Sequence, residues 1–556
     1  MKKYLFFILI SFSSIYSQVG IVKIGHPIYQ FLQRMHTNQI ISKYDEFQLP
    51  KTRKQISNYL NQVIENKLYL NNIDKKILDD FLVEFEFDLL ESINKSSKLL
   101  PFNNGFNLFD NKERYLYYFT DSSKFNVFVN GFIQNNFIYE NNRSTDESRN
   151  VNLIKYGGEL RASFLKNLGF SIYGSNGTFQ GDKSLAQTQG SLRYNFKFNY
   201  DKLDEGGVDF FDETEGFFIG DWDVFNFKIG RDRVNIGYGK IKSLIGSNSP
   251  PFDYISLNVN YSILGFSYFH GKLLGTETRF SDPVQGQIKT ISDKYLAYHR
   301  ISFDFGKHLN LSFGEMLVYS NRSIDFAYLN PFNYYKSAEH ANLDRDNSML
   351  FVDFQNNSIK GLSLYGMMLI DDLDFGKLGT SYFGNQALIE LGVKTIPFYN
   401  SFPIEFEMQY IRIDPYVYTH RIHDNNFANN DFSLSDILNP NSEIISLSLN
   451  YPLTHRLFLN AGFTYTIHGA NETDLNGNVL TNFGGNVLVG HREIDSDDAK
   501  FLDGIREYSR ILNFDISYEP INNYYIGLIT SFRNSTPANS IKQESILANI
   551  YFSLKL

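Results

Sequence analysis

Side chains able to do chemistry concentrate between Arg322 and Arg345, where Arg322, Asp325, Tyr328, Asn330, Tyr334, Tyr335, Glu339, His340, Asp344 and Arg345 occur together. Aromatic faces beside amides, carboxylates and guanidinium groups make a carbohydrate surface: the rings meet sugar C–H groups and the polar groups meet hydroxyls and acidic sugars. The tract is too polar to face lipid, which leaves a glycan-facing loop, a lumen-plugging loop, or a solvated loop with girdle tyrosines. A second cluster, Arg231-Asp232-Arg233, holds opposite charges close enough to pin an inward loop, or to meet an acidic glycan.

Catalytic patterns are sparse. Eleven histidines are scattered along the chain, without a His-Glu-x-x-His or a Gly-x-Ser-x-Gly. Hydrolase chemistry would need His299 or His340 to meet a serine and an aspartate brought from across the fold. Asp344 with Asp346, and Asp495 with Asp497 and Asp498, lack the full loop of a calcium hand. Gly237 and Gly239, with Pro250 and Pro251 downstream, indicate a constrained backbone, but the Lys-Ser/Thr ending of a phosphate loop is missing. The expectation is a non-enzyme without catalytic residues, metal or cofactor.

The elements that must carry these groups are strands. In Ile154–Phe164 the residues Ile154, Tyr156, Leu160, Ala162 and Phe164 alternate with Lys155, Glu159, Arg161 and Ser163. At roughly 3.3 Å per residue and a tilt of about 40°, such a segment rises about 25 Å, the height of an outer-membrane apolar band. The pattern returns in Leu192–Tyr200, Ile404–Tyr410 and Leu457–Ile467, and Lys155, Arg161, Arg193 and Lys197 on the second face imply a wet lumen. A soluble sandwich also alternates, but it seldom places Tyr and Phe at the ends of strand after strand. From residue 113 to 556 the expectation is a mainly β fold, an antiparallel transmembrane barrel of roughly 16–18 strands. Ile546, Ala548, Ile550, Phe552, Leu554 and Leu556 form an apolar face, as suits a closing strand that pairs with the first. Short turns at 166–169 and 451–455 belong on the periplasmic side. Polar tracts at 201–215, 276–293, 321–347, 420–442 and 470–502 are expected to be outer or lumenal loops.

Ahead of the barrel, Lys2 and Lys3, an apolar run from Tyr4 to Phe12 and a small-residue stretch to Ser17 form a signal peptide over 1–17. Residues 18–112 are expected to be a periplasmic helical domain. Its stripes are Ile28, Phe31, Leu32 and Met35 after Pro27; Ile56, Leu60, Val63 and Ile64 after a Thr52 cap; and Leu78, Phe81, Leu82, Phe85 and Leu89 in a helix begun at Asp74. These stripes close a small core, or dock on a periplasmic partner. The formal charge of −9 argues against nucleic acid. Cysteine is absent, which excludes an acyl-cysteine anchor and disulfide stapling.

The segment Gly230-Arg-Asp-Arg-Val-Asn-Ile-Gly-Tyr-Gly-Lys240 followed by Ser247-Asn-Ser-Pro-Pro-Phe-Asp253 resembles the capsule assembly protein Wzi family, in its Bacteroidetes-type branch. Tyr298-His-Arg-Ile301, Gly314-Glu315, Tyr328-Leu-Asn-Pro331, Asp346-Asn-Ser348 and Asp371-Asp372 extend the similarity in order over most of 113–556. Ile236 stands where the family often has Trp, and Asn439 where Gly is more typical. The resemblance implies an outer-membrane barrel with a periplasmic helical part that helps hold capsular polysaccharide at the cell surface. The partners that follow are outer-membrane lipid, surface polysaccharide and the barrel assembly machinery. Passive diffusion of small solutes through an open, porin-like channel is the alternative. The deciding question is whether long loops fill the lumen.

Overall fold

The computed structural model describes residues 19–101, 107–121, 124–195, 198, 209–537 and 542–556. The signal-peptide segment 1–17 and Lys197 lie outside these residues.

Eighteen long antiparallel strands close into one ring. They are β1 Phe125–Asn142, β2 Glu147–Phe164, β3 Leu168–Gly181, β4 Phe210–Asp221, β5 Phe225–Asp232, β6 Phe252–Tyr261, β7 Leu264–Asp282, β8 Gly286–Phe305 and β9 Leu309–Ser320. The ring continues with β10 Asn347–Ile359, β11 Leu362–Asp372, β12 Gln386–Thr395, β13 Glu405–Ile413, β14 Ser442–Pro452, β15 Leu457–Ala470, β16 Ile505–Ile521, β17 Tyr524–Thr536 and β18 Gln543–Lys555. The usual burial of a soluble sheet is inverted. On β13, Glu405, Glu407 and Gln409 are buried while Phe406 and Met408 are exposed, as lipid outside and polar side chains inside require. β18 closes on β1 from Ser545↔Asn142 to Lys555↔Phe132, so the long strands leave no edge open.

Two strand expectations need correction. The described part of the strand expected at Leu192–Tyr200 is not a barrel strand, since Gly190–Tyr194 is a 3-10 turn; residues 196–197 and 199–200 lie outside the described residues. Gly190 takes a left-handed backbone at φ +46°, which ends an extended run. Leu192 and Phe198 then pack with Leu185 and Phe211 over Ile138, Val151 and Leu547. Leu192 and Phe198 thus cover the inner face of β1, β2 and β18. Conversely, most of 276–293 is not irregular, because β7 and β8 extend to Asp282 and from Gly286 as a paired ribbon. Outside the bilayer both faces of a ribbon meet water, so its polarity looks like that of a loop. Residues 210–215 likewise belong to β4.

The N-terminal helices are α1 Pro27–Thr37, α2 Arg53–Glu65, α3 Asn72–Glu84 and α4 Glu86–Leu90. Pro27 occupies the first turn of α1, and Thr52 with Gln55 forms a capping box on α2. The cap of α3 is Asn71, not Asp74. Asp74 instead accepts Arg34 Nε and Nη2 at 3.0 and 2.6 Å, tying α3 to α1. Ile28, Leu32, Ile56, Leu60 and Leu78 form the core, which extends to Ile396 and Tyr399 of the β12–β13 turn. The helices therefore sit against the short-turn end of the barrel. There Arg456 meets Asp80 at 3.4 Å, and Gly361 N donates to Thr37 O at 2.8 Å.

Candidate functional site: lumen, rim and outer wall

Two segments enter the lumen from opposite ends and meet. Residues 43–52, between α1 and α2, come from the helical end; residues 233–251, between β5 and β6, come from the other. They pair antiparallel through Gln48↔Ile236 and Leu49↔Asn235. Phe47 is fully buried against Tyr238 at 5.0 Å and Phe351 at 5.8 Å between ring centroids. Gly237 and Gly239 take positive φ of 123° and 59°. A Cβ on Gly239 would stand 2.5 Å from the Gln409 side chain, so the glycines let the plug backbone approach the wall.

Charge holds the plug. Arg300 of β8 donates to Asp353 of β10 at 2.9 and 2.8 Å and to Asp45 of the entering segment at 2.9 Å. Lys394 of β12 pairs with Glu46, and Gln355 donates to Glu46 at 3.0 Å. The 414–441 segment adds Val417, Tyr418, Phe427, Leu434 and Ile437 to the same core. Across β6–β14 packed side chains fill much of the lumen, and a polar cavity of about 230 Å³ remains between the entering segment and β6–β9, lined by Asp45, Gln48, Lys51, Ser256, Asn258 and Asn310. The opposite sector is polar. There Lys155 pairs with Glu213, Lys23 lies 3.3 Å above the Tyr173 ring and 3.6 Å from Glu215, and Phe132 stacks on Tyr173 at 5.6 Å.

The Arg231-Asp232-Arg233 cluster splits across the wall. Asp232 faces inward and accepts Lys228 Nζ at 2.8 Å and the Tyr254 hydroxyl. Arg233 donates to Ser249 O at 3.3 Å and to the Tyr194 hydroxyl, pinning the start of the lumenal segment. Arg231 points outward and meets Asp253 at 3.5 Å, both substantially exposed. Alternation along β5 puts Arg231 and Asp232 on opposite faces, so the three residues do not form one network.

The Arg322–Arg345 tract folds neither into the lumen nor freely into solvent. On β8 the inward residues are Leu296, Tyr298 and Arg300, so Tyr295, Ala297 and His299 face out. Tyr295 and Ala297 pack with Leu317 and Tyr319 of β9 and with Tyr328 and Tyr335 of the tract. The tract therefore lies on the barrel's outer wall, with short helices at Phe326–Leu329 and Tyr335–Ala341. Arg322 grips Asp346 at 2.7 and 2.6 Å, and Asp325 lies 3.5 Å away. Tyr328 and Tyr335 are fully buried, Tyr328 donating to Asp346 at 2.7 Å, which leaves no ring face for a sugar. Glu339 is buried and accepts Lys336 Nζ at 2.9 Å and the Ser348 hydroxyl, and burial raises its carboxyl pKa. Asn330, Tyr334 and His340 remain exposed.

The two histidines that hydrolase chemistry would have needed have other surroundings. His299 faces Glu315 at 2.8 Å and Pro331 O at 3.2 Å. His340 joins Glu339 and Asp344 in a set whose ligand atoms lie within 4.8 Å of one another, but Lys336 and Ser348 already occupy Glu339. Neither histidine has a serine partner among the described residues.

No family model and no curated protein matches the sequence. Among solved structures, Escherichia coli Wzi, an outer membrane protein involved in group 1 capsule assembly and a carbohydrate-binding β-barrel, aligns over 96% of this chain and 99% of its own, with TM-score 0.57 and 9% identity. The fold is that of the Wzi barrel. Pseudomonas aeruginosa OccK8 (OprE) aligns over 77% of this chain and 98% of its own, with TM-score 0.43 and 9% identity. Acinetobacter baumannii OccAB2 covers the same shares with TM-score 0.42 and 10% identity. The protein is a closed β-barrel with apolar side chains outside and polar ones inside, the distribution of a transmembrane barrel. Sequence reasoning missed Asp45, Glu46 and Phe47. Their signal was a polar and aromatic segment between two helical stripes that belonged to neither.

Proposed function

We propose that this protein is a Wzi-type barrel that retains surface polysaccharide at the cell surface. The observation that carries the reading is the plug: 43–52 and 233–251 meet inside the lumen and are held by the Arg300 and Lys394 networks. A wall occupied in this way serves a rim-binding protein better than a diffusion channel. The motif order that resembles the Wzi family supports the same reading. The polymer then meets the rim, where His340, Asp344 and Arg345 are exposed beside Arg421, which donates to Asp344 O. Guanidinium groups and an imidazole there suit an acidic glycan.

The experiment is deletion of the gene with measurement of cell-bound and shed polymer. Cells without the protein are expected to make the polymer and release it. Replacing His340, Arg345 and Arg421 together by Ala reproduces the release with a folded barrel. Undiminished retention, together with steady conductance of the purified protein in planar bilayers, would overturn the reading. The porin-like reading keeps one specific support, the polar sector around Lys155, Glu213 and Tyr173.

A further inference from the structure

The outer wall under the 321–346 segment is built unlike a lipid-facing surface. From the helical end upward, the outward residues of β8 are Phe305, Phe303 and Ile301, and those of β9 are Leu309, Leu311 and Phe313. The next outward residues are His299 and Glu315, whose Nε2 and carboxylate oxygen lie 2.8 Å apart. A bare carboxylate there, one row above Ile301 and Phe313, would border the acyl chains, where an unpaired charge is strongly disfavoured. The segment removes that problem. The backbone N–H groups of Tyr335 and Lys336 donate to Glu315 at 2.9 and 3.3 Å, Tyr335 stacks on His299 at 4.4 Å, and Tyr268 donates to Leu329 O at 2.8 Å.

The face that the segment turns away from the barrel is apolar where it is lowest. Phe332 stacks on Phe266 at 5.2 Å, and Phe266 lies in register with Ile301, Phe313 and Val352 in one outward row. Phe332 is nevertheless 76% exposed and Phe326 is 82% exposed. At its upper end Asp344 meets Arg421 of the neighbouring rim segment. Phe332 is level with the lipid-facing row and Phe326 stands higher, next to Asp325, whose N–H donates to the Tyr319 hydroxyl at 3.1 Å; apolar groups that give way to charges above them form the gradient of an interfacial element.

We propose that residues 321–346 form a flap that replaces the bare wall of β7–β9 as the protein's contact with the outer leaflet, inserting Phe326 and Phe332 at the boundary between headgroups and acyl chains. Its partner is outer-leaflet lipid, because its apolar face continues the exposed row of Ile301, Phe313 and Val352. The flap's polar interior serves the wall beneath it.

The test uses the full chain in phosphatidylcholine vesicles with or without brominated acyl chains. Trp222 is the chain's single tryptophan, so Trp222→Phe gives a dark background. Phe332→Trp and, separately, Phe326→Trp are added to it. Val352→Trp reports a lipid-facing wall and Leu475→Trp a solvent-exposed rim. The expected result is that brominated lipid removes the same fraction of emission at 332 or 326 as at 352, while aqueous acrylamide quenches 475 most. Quenching at both flap positions that follows 475 would overturn the flap as a solvent loop. Protection of both from both quenchers would overturn it in favour of a second copy of the chain. If one substitution prevents folding, the other decides.

Discussion

Arg300 shows how single residues stabilise the inside of this barrel. Its guanidinium satisfies Asp353 and Asp45 together and covers the Phe47 ring at 4.3 Å. Arg300→Ala leaves two carboxylates without their partner, and a loss of about 3–5 kcal/mol is expected. Arg300→Lys recovers part of it, because one ammonium cannot reproduce the planar fork. Urea unfolding read by heat-modifiable gel mobility measures both, and equal stability of the Ala variant would contradict the network. On the outer face, Leu391→Arg in the middle of β12 is expected to cost about 2–4 kcal/mol, and Leu459→Arg, nearer the turn that opens β15, less. Asn460 faces Asp515 inside the lumen at 3.2 Å, so Asn460→Arg finds a carboxylate and is tolerated. Equal penalties on the two faces would refute the inward and outward assignment.

At the scale of elements, α1 is joined to the barrel through a neutral histidine. His36 is buried, and its Nδ1 accepts the Asn357 side-chain amide at 2.8 Å. Burial, then the nearby His308 and Lys394, pushes its pKa from 6.5 down to about 3. Because the folded value is depressed, the stability is fully present above 6.5 and is lost as pH falls from there toward 3, at about 1.4 kcal/mol per pH unit. Amide exchange in Pro27–Thr37 is expected to accelerate over that window, and His36→Gln should flatten the dependence. Exchange in the natural protein that ignores pH between 6.5 and 4 would argue against it. The helices themselves were legible in the sequence, since Pro27, Thr52 and the 3.6-residue stripes are local signals. The Asn71 cap was missed because Asp74 also suits a helix start, and its ion pair with Arg34 is a contact between distant segments.

For the molecule as a whole, closure is the governing constraint. Deleting Phe552–Leu556 removes the pairs from Phe552↔Asn135 to Lys555↔Phe132 and the Leu556 N to Gly131 O hydrogen bond of 2.7 Å. Backbone groups of β1 then face lipid unpaired, at several kcal/mol each. The truncated protein is expected to accumulate in the periplasm, and normal protection of its barrel from protease in intact cells would contradict this.

The sequence by itself determined the barrel and the helical part, because a period of two, a period of 3.6 and helix caps are written within a few residues of one another. It also placed constrained glycines at 237 and 239. It did not determine where the loops go. The same polar and aromatic composition suits a rim, a plug or a flap, and the choice depends on which distant side chains complement it. Glu315 and His299 on the outer wall drew 321–346 outward, whereas Lys394 and Arg300 on the inner wall drew 43–52 inward, and Asp353 with Gln409 drew 233–251. Those partners are brought together only when the ring has closed, because burial of a charge is favourable only beside its complement.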